Sequence, residues 1–469
     1  MRTKMRPSSL LSLRSAIAAA GDSRENFVRD AGASIPWSEL ATGSALYSRG
    51  DELRGRSVLV ATHDQLTTIS ALIELDGVAS RIVLSPPDLS LETLPYVIDT
   101  ADVEAIVSDR NLLQLGTPRR MYFSPCSRKI APATHNRDTF HQTEWILLTS
   151  GTTGLPKLVV HTLSSLAGAI ERGAKAIEPT VWGTFYDIRR YGGLQILLRA
   201  AFTGTSFVLS DSHESTADFL ARAASCGVTH ISGTPSQWRR ALMSPASQLI
   251  NPKYVRLSGE IVDQAILKQL QSVYPQAHIV HAFASTEAGV AFEVHDCAAG
   301  FPSTVLENTP DVAMKVENDT LRICSARTAA RYLGDTAPRL RDADAFVDTG
   351  DIVELKGGRY CFAGRKDGII NVGGLKVYPE EIEAVINRHP EVQMSLVRAK
   401  RSPLTGSLVF ADVVLRAGTA DAGRDLSAIQ DDILLLCRES LSSYKVPVAI
   451  TVVPALNIAE SGKVLRHSA

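Results

Sequence analysis

The sequence lacks the features of a membrane, nucleic-acid-binding or disulfide-rich protein. No apolar stretch reaches the roughly 20 residues that a membrane-spanning helix requires. The 49 Lys and Arg residues nearly balance the 50 Asp and Glu residues, so the formal net charge of −1 argues against a global nucleic-acid-binding surface. The six cysteines are scattered without a Cys-x-x-Cys pair or metal spacing. We therefore expect reduced, mostly buried thiols in a cytoplasmic protein.

The N-terminus also lacks the uninterrupted apolar core of a signal peptide. Arg14 interrupts the apolar part, and Arg24 and Glu25 follow soon after, so we predict a basic amphipathic first helix. At 469 residues the chain is long enough for more than one domain. Its 45% hydrophobic and 21% charged residues are ordinary for a globular protein.

Strand-like and helix-like runs alternate along much of the chain, which predicts an α/β protein with a parallel sheet. The predicted strands are 56–61, 81–84, 105–109, 145–148, 206–210, 229–232 and 278–281, and helix-like runs cover 67–75 and 91–99. Around 340–378 the pattern changes to short strands, with a hairpin across Gly357-Gly358. A helix over 378–387 follows, in which Pro379 suits the first helical position. Residues 391–456 then resemble a small α+β unit.

Residues 148–157 read Leu-Thr-Ser-Gly-Thr-Thr-Gly-Leu-Pro-Lys and predict a phosphate-binding loop. Glycines let backbone N–H groups approach an anion closely, hydroxyls donate to phosphate oxygens, and Lys157 supplies positive charge. The preceding apolar run reads as a buried strand, so the loop lies at a sheet edge. It is not a Walker A loop, because Lys157 is followed by Leu158 and is not preceded by glycine.

This segment resembles the phosphate-loop signature of the adenylate-forming enzymes, which include acyl- and aryl-CoA synthetases, luciferases and the adenylation domains of peptide synthetases. The resemblance implies a large N-terminal domain of parallel and mixed sheets flanked by helices, with a small α+β C-terminal domain. It implies that the loop cradles the ATP phosphates through Thr149, Ser150, Gly151, Thr152, Thr153, Gly154 and Lys157.

The segment His-Ala-Phe-Ala-Ser-Thr-Glu-Ala-Gly at 281–289 is similar to the family's aromatic-Gly-x-Thr-Glu motif. The similarity implies that Phe283 stacks on adenine, Thr286 binds the α-phosphate, and Glu287 holds Mg²⁺. Leu-Ser-Gly-Glu at 257–260 is similar to the family's glycine-rich loop beside adenine, which implicates Gly259 and Glu260 in ATP binding, although a plain turn is an equal interpretation.

Val-Asp-Thr-Gly-Asp at 347–351 resembles the family's Thr-Gly-Asp motif, in which the aspartate binds the ribose hydroxyls. The resemblance assigns that role to Asp351 and a second ribose contact to Arg365. It makes Asp367 the hinge about which the C-terminal domain rotates, and it places Gly373 and Gly374 along the tunnel for the thiol.

Glu-Ser-Gly-Lys at 460–463 resembles the family's C-terminal motif, which implies that Lys463 reaches the carboxylate and the α-phosphate during adenylation. The implied domains are residues 1–364 for ATP and the acyl substrate, a hinge at 365–367, and a mobile C-terminal domain at 368–469.

The chain departs from the family pattern at two places. Leu158 replaces a usual glycine, and the segment 185–194 has no histidine where relatives often carry Pro-x-x-His. Arg189 or Arg190 falls near that position. The candidate walls of the acyl pocket are Tyr186, Arg190, Tyr191, His230, Trp238 and Phe283. These aromatic side chains favour an aryl or compact acid, and an unpaired arginine would suit an acid with a second anionic or polar group.

The implied reaction is ATP-dependent activation of a small-molecule carboxylic acid to acyl-AMP with release of pyrophosphate, followed by transfer to a thiol. ATP, Mg²⁺ and coenzyme A are the expected cofactors. The acceptor could instead be the phosphopantetheine of an acyl or peptidyl carrier protein, or another nucleophile. A nucleotide-binding module without turnover is the alternative of another class. We expect no nucleic-acid partner and no membrane span, and a monomer or a homodimer.

Overall fold

The computed structural model describes residues 11–20, 26–47, 49–110, 121–133, 141–149, 155–171, 179–211, 213–402, 406–416, 425–459 and 463–464. The chain forms two compact units. Unit 1 contains Met1–His213, Ser285–Val290 and Ser325–Val347. Unit 2 contains Glu214–Ala284, Ala291–Cys324 and Asp348–Ala469. The predicted hinge and domain boundary at 365–367 concern a different division of the chain and stay a prediction.

The secondary structure consists of short strands and helices in chain order. The strands are β1 (Phe27–Arg29), β2 (Ser34–Pro36), β3 (Gly43–Ser44), β4 (Ser57–Val60), β5 (Arg81–Leu84), β6 (Ala105–Ser108), β7 (Tyr122–Pro125), β8 (Ala131–Pro132), β9 (Glu144–Thr149), β10 (Lys157–Thr162), β11 (Val181–Thr184), β12 (Ser206–Val208), β13 (His230–Gly233), β14 (Tyr254–Leu257), β15 (His278–Ser285), β16 (Gly289–Val294), β17 (Phe301–Pro302), β18 (Val312–Glu317), β19 (Thr320–Ser325), β20 (Arg331–Tyr332), β21 (Val347–Lys356), β22 (Arg359–Arg365), β23 (Ile370–Val372), β24 (Leu375–Val377), β25 (Val392–Ser402), β26 (Gly406–Leu415) and β27 (Ala449–Val452). The helices are α1 (Leu13–Ala20), α2 (Trp37–Thr42), α3 (Gln65–Leu75), α4 (Leu94–Thr100), α5 (Leu163–Leu166), α6 (Tyr191–Thr203), α7 (Thr216–Ser225), α8 (Pro235–Met243), α9 (Gln264–Val273), α10 (Val305–Asn308), α11 (Pro379–Ile386) and α12 (Leu426–Ser440).

Unit 1 is built on a seven-stranded sheet in the order β20-β10-β9-β5-β4-β6-β7. Strands β9, β5, β4, β6 and β7 are parallel, while β10 and β20 add antiparallel pairs at one edge. Every residue of β4 and β6 is buried, as expected for strands covered on both faces. Helix α4 packs Leu94 and Val97 onto this sheet beside Leu59 and Ile146. In the same unit, β11, β12, β1 and β2 are neighbours in that order.

Unit 2 combines a parallel run with antiparallel sheets. Strands β13, β14 and β15 pair in parallel, and β17-β22-β21-β19-β18 form a five-stranded sheet. Strands β21 and β22 form the predicted hairpin across Gly357 and Gly358, whose φ values of 55° and 79° lie in the left-handed region that suits glycine. Strands β25-β26-β27 with α11 and α12 form the small α+β unit. The predicted fold class is therefore confirmed.

Local signals explain where several elements begin and end. Helix α11 starts with Pro379 at its first position and buries Ile382, Val385 and Ile386, as the sequence predicts. Strand β15 runs four residues beyond its predicted end, and Phe283 in this added part stacks on Phe292.

The six cysteines are less buried than the sequence predicts. All six cysteines are free, but only Cys126 and Cys437 are buried, so the expectation of mostly buried thiols is wrong. The other four are half-buried, and two of them, Cys324 and Cys361, lie on β19 and β22 of the five-stranded sheet. Helix α1 buries Leu13 and Ile17, whereas the basic residues before it lie outside the described residues. Among the described residues, no helix is long and apolar enough to cross a membrane.

Candidate active site

The two ends of the phosphate-loop segment lie opposite each other in unit 1. Thr149 ends β9 and Lys157 begins β10, and the two are register partners in the antiparallel pair. The predicted ligands Ser150, Gly151, Thr152, Thr153 and Gly154 lie outside the described residues. Thr149 Oγ1 is buried, and among the described residues it has no hydrogen-bond partner. A buried hydroxyl without a partner is costly, and a phosphate oxygen would satisfy it.

Main-chain contacts fix the segment that carries Thr286 and Glu287. The Ala329 N–H donates to the Glu287 carbonyl oxygen at 2.9 Å. Gly289 has a φ of 77°, and a Cβ at this position would lie 2.4 Å from the Arg327 carbonyl oxygen. Only glycine fits there, so the turn after Glu287 is determined by backbone packing.

Tyr332 contacts both predicted catalytic charges of unit 1. Its hydroxyl donates to Glu287 Oε1 at 3.3 Å, and Lys157 Nζ lies 5.4 Å from the centroid of its ring. Tyr332 lies on β20, where it is the register partner of Val159 on β10. The structure therefore brings Lys157 and Glu287 to one side chain, which the sequence analysis did not identify.

His161 is a second residue that the sequence analysis missed. It is fully buried, and its Nε2 lies 2.6 Å from the Thr286 carbonyl oxygen while its Nδ1 lies 2.9 Å from Ser165 Oγ. Burial lowers the pKa of His161 to about 4, so the ring is neutral at pH 7. Because a carbonyl oxygen can only accept, Nε2 carries the proton. Its ring also lies 5.8 Å from that of Tyr191, so it joins Thr286 to a predicted acyl-pocket residue.

The segment before α6 is packed and paired. Tyr186 and Tyr191 are buried, and a Cβ on Gly192 would lie 3.5 Å from the Tyr186 ring. Arg189 is buried in a 2.5 Å ion pair with Asp187. Arg190 pairs with Asp88. Both arginines of this segment are therefore paired, and the partner of Arg190 is an acidic side chain 102 positions away in the sequence.

The predicted ribose residues and the predicted hinge residue form a short chain of contacts in unit 2. Arg365 Nη1 lies 3.5 Å from Asp351 Oδ1, and Arg365 Nε donates to Asp367 Oδ1 at 3.2 Å. Asp351 and Arg365 are register partners across the hairpin. Gly350, with a φ of 71°, lies inside β21 and directly precedes Asp351.

Burial raises the pKa of Asp351 to about 6, although the positive charges of Arg365 and Lys463 oppose this shift. The carboxyl of Asp351 therefore remains mostly ionised above pH 7.

Glu260 uses its carboxylate within the protein. Oε2 accepts from the Ser236 N–H at 2.9 Å, and Oε1 accepts from Ser236 Oγ at 3.0 Å and from the Val464 N–H at 3.2 Å. Its neighbour Gly259 has a φ of 86°. The predicted adenine-side loop is therefore a genuine turn, and one of its residues touches the segment that carries Lys463.

The remaining predicted residues of unit 2 lie at several places. Phe283 is half-buried and stacks on Phe362 with ring centroids 5.4 Å apart. Gly373 and Gly374, with φ values of 58° and 87°, form the two-residue turn between β23 and β24. Both lie in unit 2, and their proposed roles toward adenine and the thiol stay predictions.

Two acyl-pocket candidates fit that role less well. Trp238 is fully buried in α8, where its ring meets Tyr274 edge-on. His230 is the first residue of β13 and stacks on Tyr254, its partner at the start of β14. Ligands of α/β sheets bind at the carboxyl ends of strands, whereas His230 lies at the amino end of β13.

The residues present fit ATP and Mg²⁺. Thr149 offers an unsatisfied buried hydroxyl, Lys157 offers a cation and Glu287 offers a carboxylate. Among the described residues there is no group of three or more His, Cys, Asp or Glu side chains that could hold a metal ion. Mg²⁺ would thus depend on Glu287 and on phosphate oxygens, which is how proteins commonly bind this ion.

Comparison with known proteins gives consistent matches. The family model of the AMP-binding enzymes matches residues 58–330, more than half of the chain, and that of the AMP-binding enzyme C-terminal domain matches residues 381–463. A 2-succinylbenzoate–CoA ligase of Listeria monocytogenes is 26% identical over 437 residues, which cover 90% of this chain and 89% of that protein.

Two further similarities concern a longer protein and a solved structure. A probable nonribosomal peptide synthetase, CymA, of Salinispora arenicola is 25% identical over 424 residues, which cover 81% of this chain but only 5% of that protein. The crystal structure of the anthranilate CoA ligase AuaEII with anthranoyl-AMP has a TM-score of 0.81 at 16% identity and covers 97% of this chain and 96% of that one. This likeness confirms the fold. The chain belongs to the AMP-binding enzyme family, the adenylate-forming ligases that its motifs resemble.

Proposed function

We propose that this protein activates a small carboxylic acid with ATP and transfers the acyl group to a thiol, with coenzyme A as the expected acceptor. A carboxylate oxygen attacks the α-phosphorus, the bond to pyrophosphate breaks, and acyl-AMP remains. The thiolate sulfur then attacks the acyl carbon, and AMP leaves with the electrons of the broken carbon–oxygen bond. The observation that carries the proposal is the contact of Tyr332 with both Lys157 and Glu287 in unit 1.

The unit 1 residues serve the phosphates. Lys157 and the Thr149 hydroxyl bind the oxygens of the leaving pyrophosphate, together with the hydroxyls of the predicted loop. Thr286 binds the α-phosphate. Glu287 would hold Mg²⁺, which would supply positive charge beside the phosphoryl oxygens. The protein thus accelerates the reaction by positioning and by electrostatic stabilisation, since it has no covalent step of its own.

The unit 2 residues bind the nucleoside and allow the enzyme to change from adenylation to thioester formation. Asp351 accepts from the ribose hydroxyls, and Arg365 holds Asp351 in place. Lys463 supplies a positive charge toward the α-phosphate in the first step only. Asp367 is the hinge that lets Lys463 leave before the thiol arrives, with Gly373 and Gly374 beside the thiol.

The acid is an aryl or compact one. Buried Tyr186 and Tyr191 offer rigid aromatic walls, and the ligase of Listeria is named for succinylbenzoate, an aromatic acid. Because Arg190 already pairs with Asp88, a second anionic group on the acid would have to compete with that carboxylate.

A carrier protein's phosphopantetheine is the second candidate acceptor. The similarity to a peptide synthetase favours it, because such enzymes contain adenylation domains. A nucleotide-binding module without turnover is less well supported, since such a module has no chemical need for Lys157, Glu287, Asp351 and Lys463 together.

The proposal is tested by measuring pyrophosphate release with aryl, short aliphatic and long aliphatic acids, each with and without coenzyme A or a phosphopantetheinylated carrier protein. We expect acid-dependent release of pyrophosphate and AMP that Lys157→Ala strongly lowers. Lys268→Ala, which removes an exposed lysine of unit 2, is the matched control. Release of ADP, or release that no acid stimulates, would overturn the proposal.

A further inference from the structure

Glu260 touches the segment that carries Lys463 and has no carboxylate oxygen left unbonded. Both oxygens accept hydrogen bonds from Ser236, and Oε1 also accepts from the Val464 N–H. Val464 is the residue directly after Lys463. We propose that Glu260 is a positioning residue that docks the Lys463 segment for adenylation, and that it is not a ligand of the nucleotide. The inference rests on the role proposed above for Lys463.

The site of docking favours a carboxylate. Ser236 is the second residue of α8, a helix that starts with Pro235 and is capped by the Thr234 hydroxyl. The first N–H groups of a helix have no partner within the helix and carry partial positive charge. The negative charge of Glu260 is therefore stabilised at this place, and its remaining acceptor capacity faces the Val464 N–H.

The described residues on either side of 460–462 pair with each other. The Ala459 N–H donates to the Lys463 carbonyl oxygen at 2.8 Å, and Ile458 and Val464 form an antiparallel bridge. The bond from Val464 to Glu260 thus fixes the residue next to Lys463. An ammonium group one residue from a fixed backbone N–H has a restricted reach, which is what a lysine with one target requires.

Two other contacts join the same stretch of chain to residues after the predicted hinge. Asn387 Nδ2 donates to Asp263 Oδ2 at 3.0 Å, and Gln393 Nε2 donates to the Arg239 carbonyl oxygen at 2.8 Å. Residues 236–263 therefore receive the predicted C-terminal domain at three positions. All three contacts are hydrogen bonds, which water can replace when the domain moves away. Glu260 provides the contact beside the catalytic lysine.

A docking role and a nucleotide-binding role predict different kinetics. A docking residue matters only while Lys463 is in place, so its loss lowers the rate constant of adenylation and spares ATP binding. A nucleotide ligand acts in both half-reactions, since AMP stays bound through the second, and its loss raises the KM for ATP. The two roles also differ in how they combine with loss of Lys463.

The test compares Glu260→Gln, Lys463→Ala and the double variant in both half-reactions, with Glu307→Gln on the exposed surface as the matched control. For Glu260→Gln we expect adenylation to fall about tenfold at a KM for ATP within about twofold of wild type, with thioester formation from supplied acyl-AMP unchanged. In the Lys463→Ala background, Glu260→Gln should cause no further fall, because it acts through that lysine.

Ser236→Ala should give the same pattern at smaller size, and it keeps the inference testable if Glu260→Gln does not fold. A raised KM for ATP, loss in both half-reactions, or multiplied losses in the double variant would overturn the inference and make Glu260 a nucleotide ligand. Wild-type rates in Glu260→Gln would also overturn it. If Lys463→Ala itself adenylates normally, the proposed role of Lys463 fails instead, which the single variants distinguish.

Discussion

The predicted functional residues of unit 1 and unit 2 are held in different ways. In unit 1, Thr286 and Glu287 are fixed by hydrogen bonds to their own carbonyl oxygens and by a glycine that nothing else can replace. In unit 2, Arg365 and Asp367 have half-exposed side chains joined by single ion pairs, and Lys463 directly precedes Val464, whose N–H donates to Glu260. Charges fixed by the backbone remain in every conformation, whereas charges held by side chains can be exchanged.

This difference agrees with the chemistry of a two-step reaction. The phosphates must be bound whenever ATP is present, which favours residues that the backbone holds rigidly, as it does Thr286 and Glu287. In the proposed mechanism Lys463 assists the attack on phosphorus and leaves before a thiol approaches, which favours contacts that are easily released. Variants of Lys463 and Asp367 in unit 2 should therefore affect the two half-reactions unequally.

Replacement of Lys463 by alanine should have the largest effect that is confined to one step. We expect acyl-AMP formation to fall roughly 100-fold or more, about 2.7 kcal/mol, because a charge aimed at the reacting phosphoryl group is lost. Thioester formation from supplied acyl-AMP should be spared. Rapid-quench measurement of each half-reaction tests this. Equal losses in both half-reactions would show that Lys463 does not leave between the two steps.

A proline at the predicted hinge should have the opposite effect to Lys463→Ala, because it should spare adenylation and impair thioester formation. Asp367 lies in a single 3-10 turn, Lys366–Gly368, and such turns have φ values that proline adopts. We expect Asp367→Pro to keep the conformation in which the Val464 N–H, next to Lys463, donates to Glu260, and so to retain adenylation while losing most of thioester formation. The matched control is Asp367→Ala, which leaves the backbone free. If the proline variant performs both steps at normal rates, the swivel lies elsewhere.

Glu287→Gln tests the residues of unit 1 that the backbone holds in place. Removal of one carboxylate from a phosphate-bridging metal should lower the first half-reaction well beyond tenfold, more than ~1.4 kcal/mol, and should weaken its dependence on Mg²⁺. The fold should survive, because the backbone bonds of residues 286–287 do not involve this side chain. A Mg²⁺ titration of wild type and variant checks this; normal turnover at ordinary Mg²⁺ would make Glu287 a surface carboxylate.

The pH dependence of ATP use should report Asp351. Its pKa of about 6 lies above the ordinary value for aspartate, so the ionised form that accepts from ribose hydroxyls is lost as the pH falls through 6. We expect kcat/KM for ATP to fall about tenfold between pH 7.5 and pH 5. In Asp351→Asn the activity should be lower throughout and this fall should be absent. An unchanged profile in the variant would assign the titration to another group; His161, with a pKa of about 4, stays neutral over this range.

Tyr332→Phe should have the smallest effect. The variant loses the 3.3 Å hydrogen bond to Glu287 Oε1 but keeps the ring beside Lys157. We expect a two- to fivefold higher requirement for Mg²⁺, about 0.5–1 kcal/mol, at an unchanged KM for ATP. Tyr332→Leu removes the ring as well and should also raise the KM for ATP. Identical behaviour of the two variants would mean that Tyr332 acts on one charge only.

Sequence reasoning succeeded where the deciding signals are local. The buried run at 145–148, the double glycine at 357–358 and Pro379 each fix an element through neighbouring residues. The pairing of Asp351 with Arg365 follows from hairpin register over 14 positions. The motifs, read in order, indicated the family that the comparisons show.

The contacts that the sequence could not reveal join distant parts of the chain. His161 meets Thr286 over 125 positions, Tyr332 meets Glu287 over 45, and Glu260 meets Val464 over 204. Arg190 pairs with Asp88 over 102 positions. No local pattern marks such pairs, because they arise from the packing of whole elements.

In the proposed reaction a carboxylate oxygen becomes bonded to the α-phosphorus of ATP. Turnover of an accepted acid whose carboxyl group carries ¹⁸O, followed by mass analysis of the products, detects this bond. We expect one ¹⁸O atom in AMP and none in pyrophosphate, because the thiol breaks the bond between the acyl carbon and that oxygen. Label in pyrophosphate or phosphate, or AMP without label, would contradict it.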